Sequence, residues 1–307
     1  MFSEAQNLAI VRTELDTVFF QNFDMNNSTQ GMVNSSTGEL FRQIPIDRLA
    51  YIGQVNKASG LWSTVTETQT VPVSTPKATN KFITNVLDFA DSIELSKNMF
   101  DDNMHGVWAE DVRQFALMAR ITQDTNAFKL FRGAFTSQLT PDGVSIINSA
   151  HPLIGGGTTS NLLTGGLSPT TLNNGFVSLA QQVNQAGVIL GGAPAILLVP
   201  PALLKLAVEI TDSVLVSDAG NNAVNFYRSM LGITVMSSPY MSAAAGGSDT
   251  AWFLLSKNHA VKRIVRQGVQ TALRDWRYSN NRTYLYQGNL REEVACYDYA
   301  GIVGSTG

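Results

Sequence analysis

The amino-acid sequence predicts an α+β protein, in which helices and strands are mixed without a regular strand–helix–strand alternation. Two kinds of pattern indicate this class. Apolar residues recur at helical spacing over long stretches, most clearly over residues 103–135. Short apolar runs bounded by turn residues, such as residues 195–199 and 252–255, are typical of buried strands. The length of 307 residues predicts two domains, or one large domain with excursions.

The first 80 residues predict an extended N-terminal region. Apolar residues at helical spacing predict an amphipathic helix of about five turns. These residues are Leu8, Val11, Leu15, Val18 and Phe19. The apolar side of this helix has to dock on its own body or on a neighbour. Residues 26–38 read as a polar linker. Residues 61–73 alternate Thr, Val and Trp with polar residues and predict a hairpin that is exposed on both faces. Such a hairpin has little core of its own, so we expect it to gain order from a partner surface.

The middle of the chain contains the clearest predicted element. Residues 81–97 alternate apolar and polar residues and predict a strand, with a helix over part of the range as the alternative. The helix over residues 103–135 follows, and its roughly 30 residues form a rod of about 45–50 Å. Asp101 and Asp102 stand just before it, and we interpret them as residues that cap the positive end of this helix.

The second half of the chain alternates short helices and strands. Pro141, Asp142 and Gly143 predict a turn. Helices are predicted over residues 170–185 and again from Pro201, because proline suits the first position of a helix. Strands are predicted over residues 195–199, 233–237, 252–255, 269–273, 283–286 and 294–303.

Charged residues make up only 15% of the sequence, against about 25% in typical soluble domains. A weakly charged surface repels its copies weakly, so the composition favours assembly. The net charge of −3 gives no general attraction to nucleic acid. From Lys257 onward, however, eight basic residues face four acidic ones, so this end carries +4 and the preceding chain −7. We interpret the basic end as pairing within or between subunits, with contact to a polyanion as the alternative.

Sequence motifs for catalysis or cofactor binding are missing, and we predict no catalytic residue, no cofactor and no metal. The three histidines, His105, His151 and His259, do not have metal-ligand spacing. The chain lacks the nucleophile elbow, the phosphate-binding loop and the dinucleotide fingerprint. Cys296 lies in an apolar run and is interpreted as a core residue. The apolar stretch at residues 186–204 contains three prolines and a Gly-Gly pair, so we predict no membrane span.

Six sequence landmarks, in order, carry a resemblance to a known family. They are SIELSKNMFDD (residues 92–102), DGVSIINSAHPL (142–153), LSPTTL (167–172), AILLVPPALLKLA (195–207), ITVMSSPYM (233–241) and AWFLL (251–255). Together they resemble the major capsid proteins of tailed bacteriophages, in particular the Mu-like major head subunits of the Hong Kong 97-type fold. The resemblance covers residues 92–307, whereas residues 1–91 match in layout only.

The resemblance implies a division of the chain into capsid domains. Residues 1–39 would form the N-terminal arm and residues 40–80 an extended loop that lies across a neighbouring subunit. Residues 81–166 would form the peripheral domain, with the spine helix at about 103–135, and residues 167–265 the axial domain. Residues 266–307 would return as strands to the peripheral domain. We expect the arm and the loop to find their burial on identical copies.

The resemblance also implies partners and a location. The expected partners are copies of the same chain in pentamers and hexamers, a portal, a separate scaffolding protein, a decoration protein and packaged double-stranded DNA, with no membrane. The expected location is the virion, after assembly in the host cytoplasm.

Two groups of residues are candidates for these contacts. The basic candidates for DNA or intersubunit contact are Lys262, Arg263, Arg266, Arg274, Arg277 and Arg282. In the extended loop, Leu61 and Trp62 are candidates for intersubunit contact.

Two other functions stay open at this stage. An encapsulin-type bacterial compartment shares the capsid fold and would require a pocket for cargo. A hydrolase is disfavoured because the catalytic motifs are missing.

Overall fold

The chain forms helices and sheets in two compact units, which are described separately. The computed structural model describes residues 4–29, 40–56, 61–62, 64–67, 69–71, 73, 78–102, 105–213, 225–228, 232–279 and 281–307. The first unit comprises residues 1–51, 85–127 and 263–294. The second unit comprises residues 52–84, 128–262 and 295–307. The mixture of helices and sheets confirms the predicted α+β class.

The first unit combines a four-stranded sheet with helices. Its strand order is β1-β11-β12-β4, and β12 runs antiparallel to β4. The strands are β1 (Arg42–Pro45), β4 (Leu87–Ser96), β11 (Val261–Arg274) and β12 (Thr283–Cys296). The helices are α1 (Glu4–Thr29), α2 (Lys97–Asp101) and the larger part of α3 (His105–Arg132). Strands β11 and β12 have 14 residues each, longer than the pieces predicted over 269–273 and 283–286.

Helix α1 buries its apolar side within the first unit. Leu15 and Phe19 are fully buried in a cluster with Phe115 of α3 and Tyr286 of β12. The Phe19 and Phe115 ring centroids are 5.7 Å apart. Asp16 accepts hydrogen bonds of 2.7 Å from the hydroxyls of Tyr286 and Thr271. The expectation that this part of the arm finds its burial only on other copies is therefore wrong, because the unit itself provides the apolar surface.

Two local predictions in this region differ from the structure. Helix α1 continues to Thr29, so residues 26–29 of the predicted polar linker are helical. Asn and Ser lower helix propensity but do not end a helix by themselves. Residues 30–38 of that linker lie outside the described residues. Asp101 ends α2 and accepts a 2.6 Å hydrogen bond from Lys97, four residues earlier. The capping role of Asp101 in the long helix is therefore wrong, and residues 103–104 lie outside the described part.

The predicted hairpin at residues 61–73 is also wrong where the structure describes it. None of the described residues in that range belongs to a strand. Instead β2 (Ala50–Asn56) and β3 (Ala78–Asn85), which flank the segment, pair with each other. An isolated ladder needs one buried face, and the described apolar side chains of the segment have none.

The second unit is built on a five-stranded mixed sheet. Its strand order is β7-β13-β10-β8-β9, with parallel pairing at β8–β9 and β13–β7 and antiparallel pairing at both sides of β10. The strands are β7 (Leu162–Leu163), β8 (Pro194–Val199), β9 (Thr234–Ser237), β10 (Trp252–Ser256) and β13 (Ile302–Ser305). A two-stranded sheet of β5 (His151–Pro152) and β6 (Thr158–Thr159) completes the named strands.

Two helices supply the rest of this core. Helix α4 (Pro169–Gln181) begins with a capping box in which Ser168 and Thr171 bond each other's backbone N–H. Helix α5 (Pro201–Asp212) begins at Pro201, as predicted. Leu172 and Leu179 of α4 and Ala207 of α5 are fully buried against Trp252 and Leu254 of β10.

A buried hydrogen-bond network crosses the second unit. The predicted turn is formed, with Gly143 at a φ of 86°, a backbone conformation that suits glycine. His151 Nδ1 lies 2.7 Å from Asp142 Oδ2, and His151 Nε2 lies 3.1 Å from Asn161 Oδ1. The amide nitrogen of Asn161 donates to the carbonyls of Ile146 and Ile302, so its oxygen must face the histidine as an acceptor. His151 Nε2 therefore faces an acceptor, and His151 Nδ1 faces the buried carboxylate of Asp142.

The pKa of Asp142 reflects this network. Burial alone would raise the pKa of this carboxyl, but hydrogen bonds from His151 and Thr140 outweigh it and lower the pKa below its usual value. An acid with a lowered pKa stabilises the fold above its unfolded pKa of about 4 and loses this effect as the pH falls further.

We expect Asp142→Asn to lower the free energy of unfolding at pH 7 by about 2 kcal/mol, the usual value of a hydrogen bond to a charged group. The difference from the original protein should shrink as the pH falls below about 4, because Asp142 becomes protonated. Urea unfolding at several pH values measures both effects. Exposed Asp102 provides the control, since Asp102→Asn should change little at any pH. A difference that stays constant from pH 7 to pH 3 would contradict this role for the Asp142 charge.

Candidate assembly surfaces

The segment between β2 and β3 exposes large apolar side chains. Leu61 is 84% exposed and Trp62 is 97% exposed. Val71 and Val73 are exposed as well. Removing such a side chain from water stabilises a contact by about 1.5–3 kcal/mol. The described part of this segment can therefore bind a surface that covers it.

The six basic candidates have different surroundings in the structure. Lys262 belongs to the second unit, and its Nζ lies 5.2 Å from the centre of the Tyr297 ring. The other five belong to the first unit. Arg266 is half-buried, whereas Arg274 and Arg282 are exposed.

Arg263 is not available for contact with DNA or with another subunit. Its guanidinium is buried and its Nε donates to Glu292 Oε2 at 3.0 Å. The prediction that Arg263 contacts DNA or another subunit is therefore wrong. Its partner Glu292 lies on the adjacent strand but 29 positions away in the sequence, so the sequence pattern did not indicate the pair. A sequence pattern of basic residues does not distinguish a surface arginine from one that is paired in the interior.

The Arg263–Glu292 pair belongs to a larger buried charge cluster in the first unit. Gln123 of α3 donates to Glu292 Oε2 at 3.2 Å. Arg120 and Asp124, one turn apart on α3, form a second buried ion pair at 3.0 Å. Burial raises the pKa of Asp124 to about 6, although Arg120 and Arg263 act in the opposite direction. The cluster connects α3 to β11 and β12 through polar contacts. Each contact is lost if either of its two residues is replaced by an apolar one.

A cationic tip lies at the turn that joins β11 to β12. We define the cationic tip as Lys97, Arg274, Trp276, Arg277 and Arg282. Asp275 accepts from the backbone N–H of Arg277 and from its guanidinium, which holds that side chain at the turn. Above the Trp276 ring lie Lys97 Nζ, 5.2 Å from its centre, and Arg282 Cζ, 5.9 Å from it. Such cation–π contacts orient the two cations.

An open groove lies elsewhere in the same unit. We define the acidic groove as the cavity of about 350 Å³ between α3 and the sheet. Its apolar lining includes Phe115, Met118 and Leu290, and Asp91 of β4 lies on the same face of the sheet as Leu290. Asp88 also borders the groove, but its side chain lies on the opposite face and pairs with Arg291. In the described sheet β4 pairs with β12 and forms the outer strand.

The described residues contain no arrangement that indicates catalysis or metal binding. Among them no group of three or more His, Cys, Asp or Glu residues could hold a metal ion. Cys296 is buried, and burial raises the pKa of its thiol to about 12, so it remains protonated and unreactive. In the part of the chain that the structure describes, no helix is both long and apolar enough to cross a membrane.

Comparison with known proteins gives a family match over residues 79–305, to a family described as phage capsid protein. The chain belongs to this phage capsid protein family. No curated protein matches the chain. Among solved structures, a virus-like particle from Pyrococcus furiosus aligns with a TM-score of 0.56 and 7% identity, covering 95% of this chain and 98% of that one.

Two phage structures are also similar to this capsid protein. A chain from Microbacterium phage Oxtober96 aligns with a TM-score of 0.55 and 14% identity, covering 91% of this chain and 92% of that one. The procapsid of bacteriophage JBD30 aligns with a TM-score of 0.51 and 13% identity, covering 97% of this chain and 75% of that one. These similarities confirm the predicted Hong Kong 97-type fold, and with the family match they confirm a major capsid protein that forms part of the virion.

The sequence analysis missed several residues of these surfaces. Lys97 and Trp276 are 179 positions apart and meet only through the pairing of Ser96 with Thr283. Asp88 and Asp91 belong to β4, a strand that the sequence predicts without indicating that its carboxylates are exposed. The alternation of polar residues in β4 is the signal that could have indicated an exposed strand with a charged edge.

The buried charge cluster leads to a stability prediction. Glu292→Ala should lower the free energy of unfolding by about 3–5 kcal/mol, because Arg263 would remain buried without its carboxylate. The double variant Arg263→Met/Glu292→Leu should recover most of that loss, since it removes both charges and keeps the volume. Chemical denaturation of the unassembled subunit measures these values.

Exposed Glu110, which pairs with Arg113 on the outer side of α3, is the matched control. Glu110→Ala should leave the midpoint of unfolding unchanged. Equal effects of Glu292→Ala and Glu110→Ala would contradict the importance of the buried pair.

Proposed function

We propose that this capsid protein self-assembles into the pentamers and hexamers of an icosahedral shell that encloses the double-stranded DNA of a tailed phage. The family match over residues 79–305 is the observation that carries the proposal. A closed shell accumulates many weak contacts between identical subunits, so that individually weak interfaces together make a stable particle.

The exposed segment between β2 and β3 is proposed to supply one of these contacts. In this proposal Leu61 and Trp62 lie against a neighbouring subunit, which removes their apolar surface from water. Residues 40–80 then act as the extended loop, and residues 1–39 as the N-terminal arm, although α1 is docked on its own unit.

The remaining domain assignments are part of the same proposal. Residues 81–166 and 266–307 form the peripheral domain, with the spine helix α3, and residues 167–265 form the axial domain. Assignment to the Mu-like branch is supported by the landmark sequences, such as DGVSIINSAHPL at residues 142–153.

Further partners follow from the role of a head subunit. We propose assembly in the host cytoplasm with a portal, a separate scaffolding protein and a decoration protein. Because Arg263 is buried, the proposed non-specific contact with packaged DNA involves the remaining basic candidates. These are Lys262, Arg266, Arg274, Arg277 and Arg282. The protein is proposed to have a structural and not an enzymatic role.

Expression of the full chain, with and without a co-expressed scaffolding protein, tests the proposed assembly. Negative-stain microscopy and sedimentation should show closed shells and capsomers. A monomer of 33.2 kDa under all these conditions would overturn the proposal. The encapsulin-type alternative predicts that particles from the native host contain a cargo enzyme and no DNA, and the family match to a phage capsid protein favours the phage shell.

We expect Trp62→Ala to raise the protein concentration required for assembly by at least about tenfold, because burial of one large aromatic side chain contributes more than 1.4 kcal/mol. Light scattering at increasing protein concentration measures the threshold. The free energy of unfolding of the unassembled subunit should not change, because Trp62 is almost fully exposed there.

Leu190 is the control for this variant, since it is 52% exposed and lies outside the extended loop. Leu190→Ala should leave the assembly threshold near that of the original protein. An unchanged threshold for Trp62→Ala would remove this side chain from the proposed contact.

A further inference from the structure

Strand β4 forms one edge of the four-stranded sheet in the first unit. Its ten residues pair with β12 on one side, and among the described residues no strand pairs with the other side. An open strand edge presents backbone N–H and C=O groups that can pair with a strand of another molecule. Pairing of this kind between two subunits would compete with any ordered association through other surfaces.

Two backbone hydrogen bonds indicate which groups of β4 face outward. The N–H of Lys97 donates to the carbonyl of Arg282 at 3.2 Å, in line with the register of the β4–β12 ladder. Hydrogen-bonded and non-hydrogen-bonded pairs alternate along an antiparallel ladder. The odd-numbered residues of β4 therefore direct their backbone groups to β12, and the even-numbered residues direct theirs to the outer edge. The N–H of Ser92 agrees with this assignment, because it donates to a side chain.

Asp91 occupies a backbone donor at the middle of this outer edge. Its Oδ1 accepts a hydrogen bond of 2.8 Å from the N–H of Ser92, the sixth of the ten residues of β4. A hydrogen bond to an ionised acceptor is stronger than one to a neutral carbonyl. A strand that adds to the edge has to displace the carboxylate before its own carbonyl can accept from Ser92. The Asp91 carboxylate therefore competes directly with an incoming strand.

The same residue places a charge on a strand face that is otherwise apolar. The odd-numbered residues of β4 share one face of the sheet. They are Leu87, Phe89, Asp91, Ile93 and Leu95. Asp91 is exposed, and the residue opposite it on β12 is Gly288, which has no side chain to cover it. Charged residues on the apolar side of an edge strand are one of the means by which proteins prevent pairing between edges.

The strand that matches this edge in length and pattern is β4 of a second copy. Two copies that pair antiparallel about Ser92 are related by a two-fold axis and join their sheets into one ladder. In this register Phe89 lies opposite Leu95 of the second copy, which is a favourable apolar pair. Asp91 lies opposite Ile93, where its charge would lose water without gaining a partner. Asp91 is therefore the residue that makes this pairing unfavourable.

The two other carboxylates of β4 do not prevent the pairing by themselves. Asp88 and Glu94 lie on the opposite face of the strand from Asp91. In the same register each of them lies opposite a small uncharged residue, so no acid faces an acid directly. Asp88 also has a partner of its own, Arg291, at 3.4 Å.

We propose that Asp91 blocks the outer edge of β4 against pairing with β4 of a second copy. The carboxylate acts in two ways, since it holds the N–H of Ser92 and puts a charge at the centre of the apolar strand face. The proposal goes beyond the proposed assembly, because it concerns a contact that the subunit avoids. It applies to the unassembled subunit whether or not closed shells form.

Replacement of Asp91 by valine tests this role. Asp91→Val removes the charge and the acceptor and completes the apolar strand face. The unassembled subunit should then self-associate at a concentration at least about tenfold lower than the original protein, because several cross-strand pairs form together. Sedimentation velocity below the threshold of shell assembly measures this concentration. Circular dichroism and urea unfolding establish that the variant is folded, and Asp91→Thr, with the same expected direction, replaces it if it is not.

Glu94→Val is the matched control. It removes one negative charge and adds one valine on the same exposed strand, but at a residue that does not contact the N–H of Ser92. Its self-association should stay within about threefold of the original protein. Equal association of Asp91→Val and Glu94→Val would show a general effect of charge or hydrophobicity and would overturn the proposal.

Proline at residue 92 tests whether the association uses the outer edge. The N–H of Ser92 faces away from β12, so Ser92→Pro removes an outward donor and keeps the β4–β12 ladder. Asp91→Val/Ser92→Pro should return to the association of the original protein. Asp91→Val/Ser92→Ala keeps the N–H and should associate like Asp91→Val. The proposal is overturned if the proline variant associates like Asp91→Val, or if Asp91→Val itself does not associate. Neither result depends on whether the original protein forms shells.

Discussion

Burial of apolar surface is the constraint on which both units of this capsid protein depend. Phe19 in the first unit and Trp252 in the second are fully removed from water by their own chain. Leu61 and Trp62 are not, since they remain 84% and 97% exposed. The same physical force that folds the two units is therefore unsatisfied in the segment between β2 and β3. A neighbouring subunit that covers this segment would continue the process by which the units form.

Charges have two distinct roles in a chain that contains few of them. In the buried cluster, Arg263 and Glu292 fix the position of β11 and β12 relative to α3, because removing either partner leaves a charge without compensation in the interior. At the surface, Arg282 and Asp91 remain exposed and separated. Exposed charges contribute little to the stability of a single subunit, but they affect the orientation and the rate of association. The position of each charge, and not the net charge of −3, determines which role it has.

The sequence predicts local elements well where one short stretch contains the whole signal. Pro201 at the start of α5 and the apolar run at 252–255 are examples, because proline and continuous hydrophobicity act locally. The hairpin at 61–73 was wrong, since alternation indicates a strand only if a partner covers one face. Arg263 was wrong because its partner is distant in sequence. The pairing of Asp142 with His151 was not foreseen either, and it depends on a turn and on the amide orientation of Asn161. Long-range pairing is thus the information that composition and periodicity do not contain.

The internal docking of α1 changes the balance of forces expected for assembly. A helix that became ordered only on a neighbour would add apolar contact area but would also lose conformational entropy at each association step. Because Leu15 and Phe19 are already buried, that entropy is lost during folding of the subunit. In the proposed assembly, the association step then involves a smaller set of groups, among them the exposed segment around Trp62. Contacts of this kind are individually weak and partly screened by salt, so a wrongly placed subunit can dissociate before the shell closes, whereas a subunit in a closed ring is retained by several contacts at once.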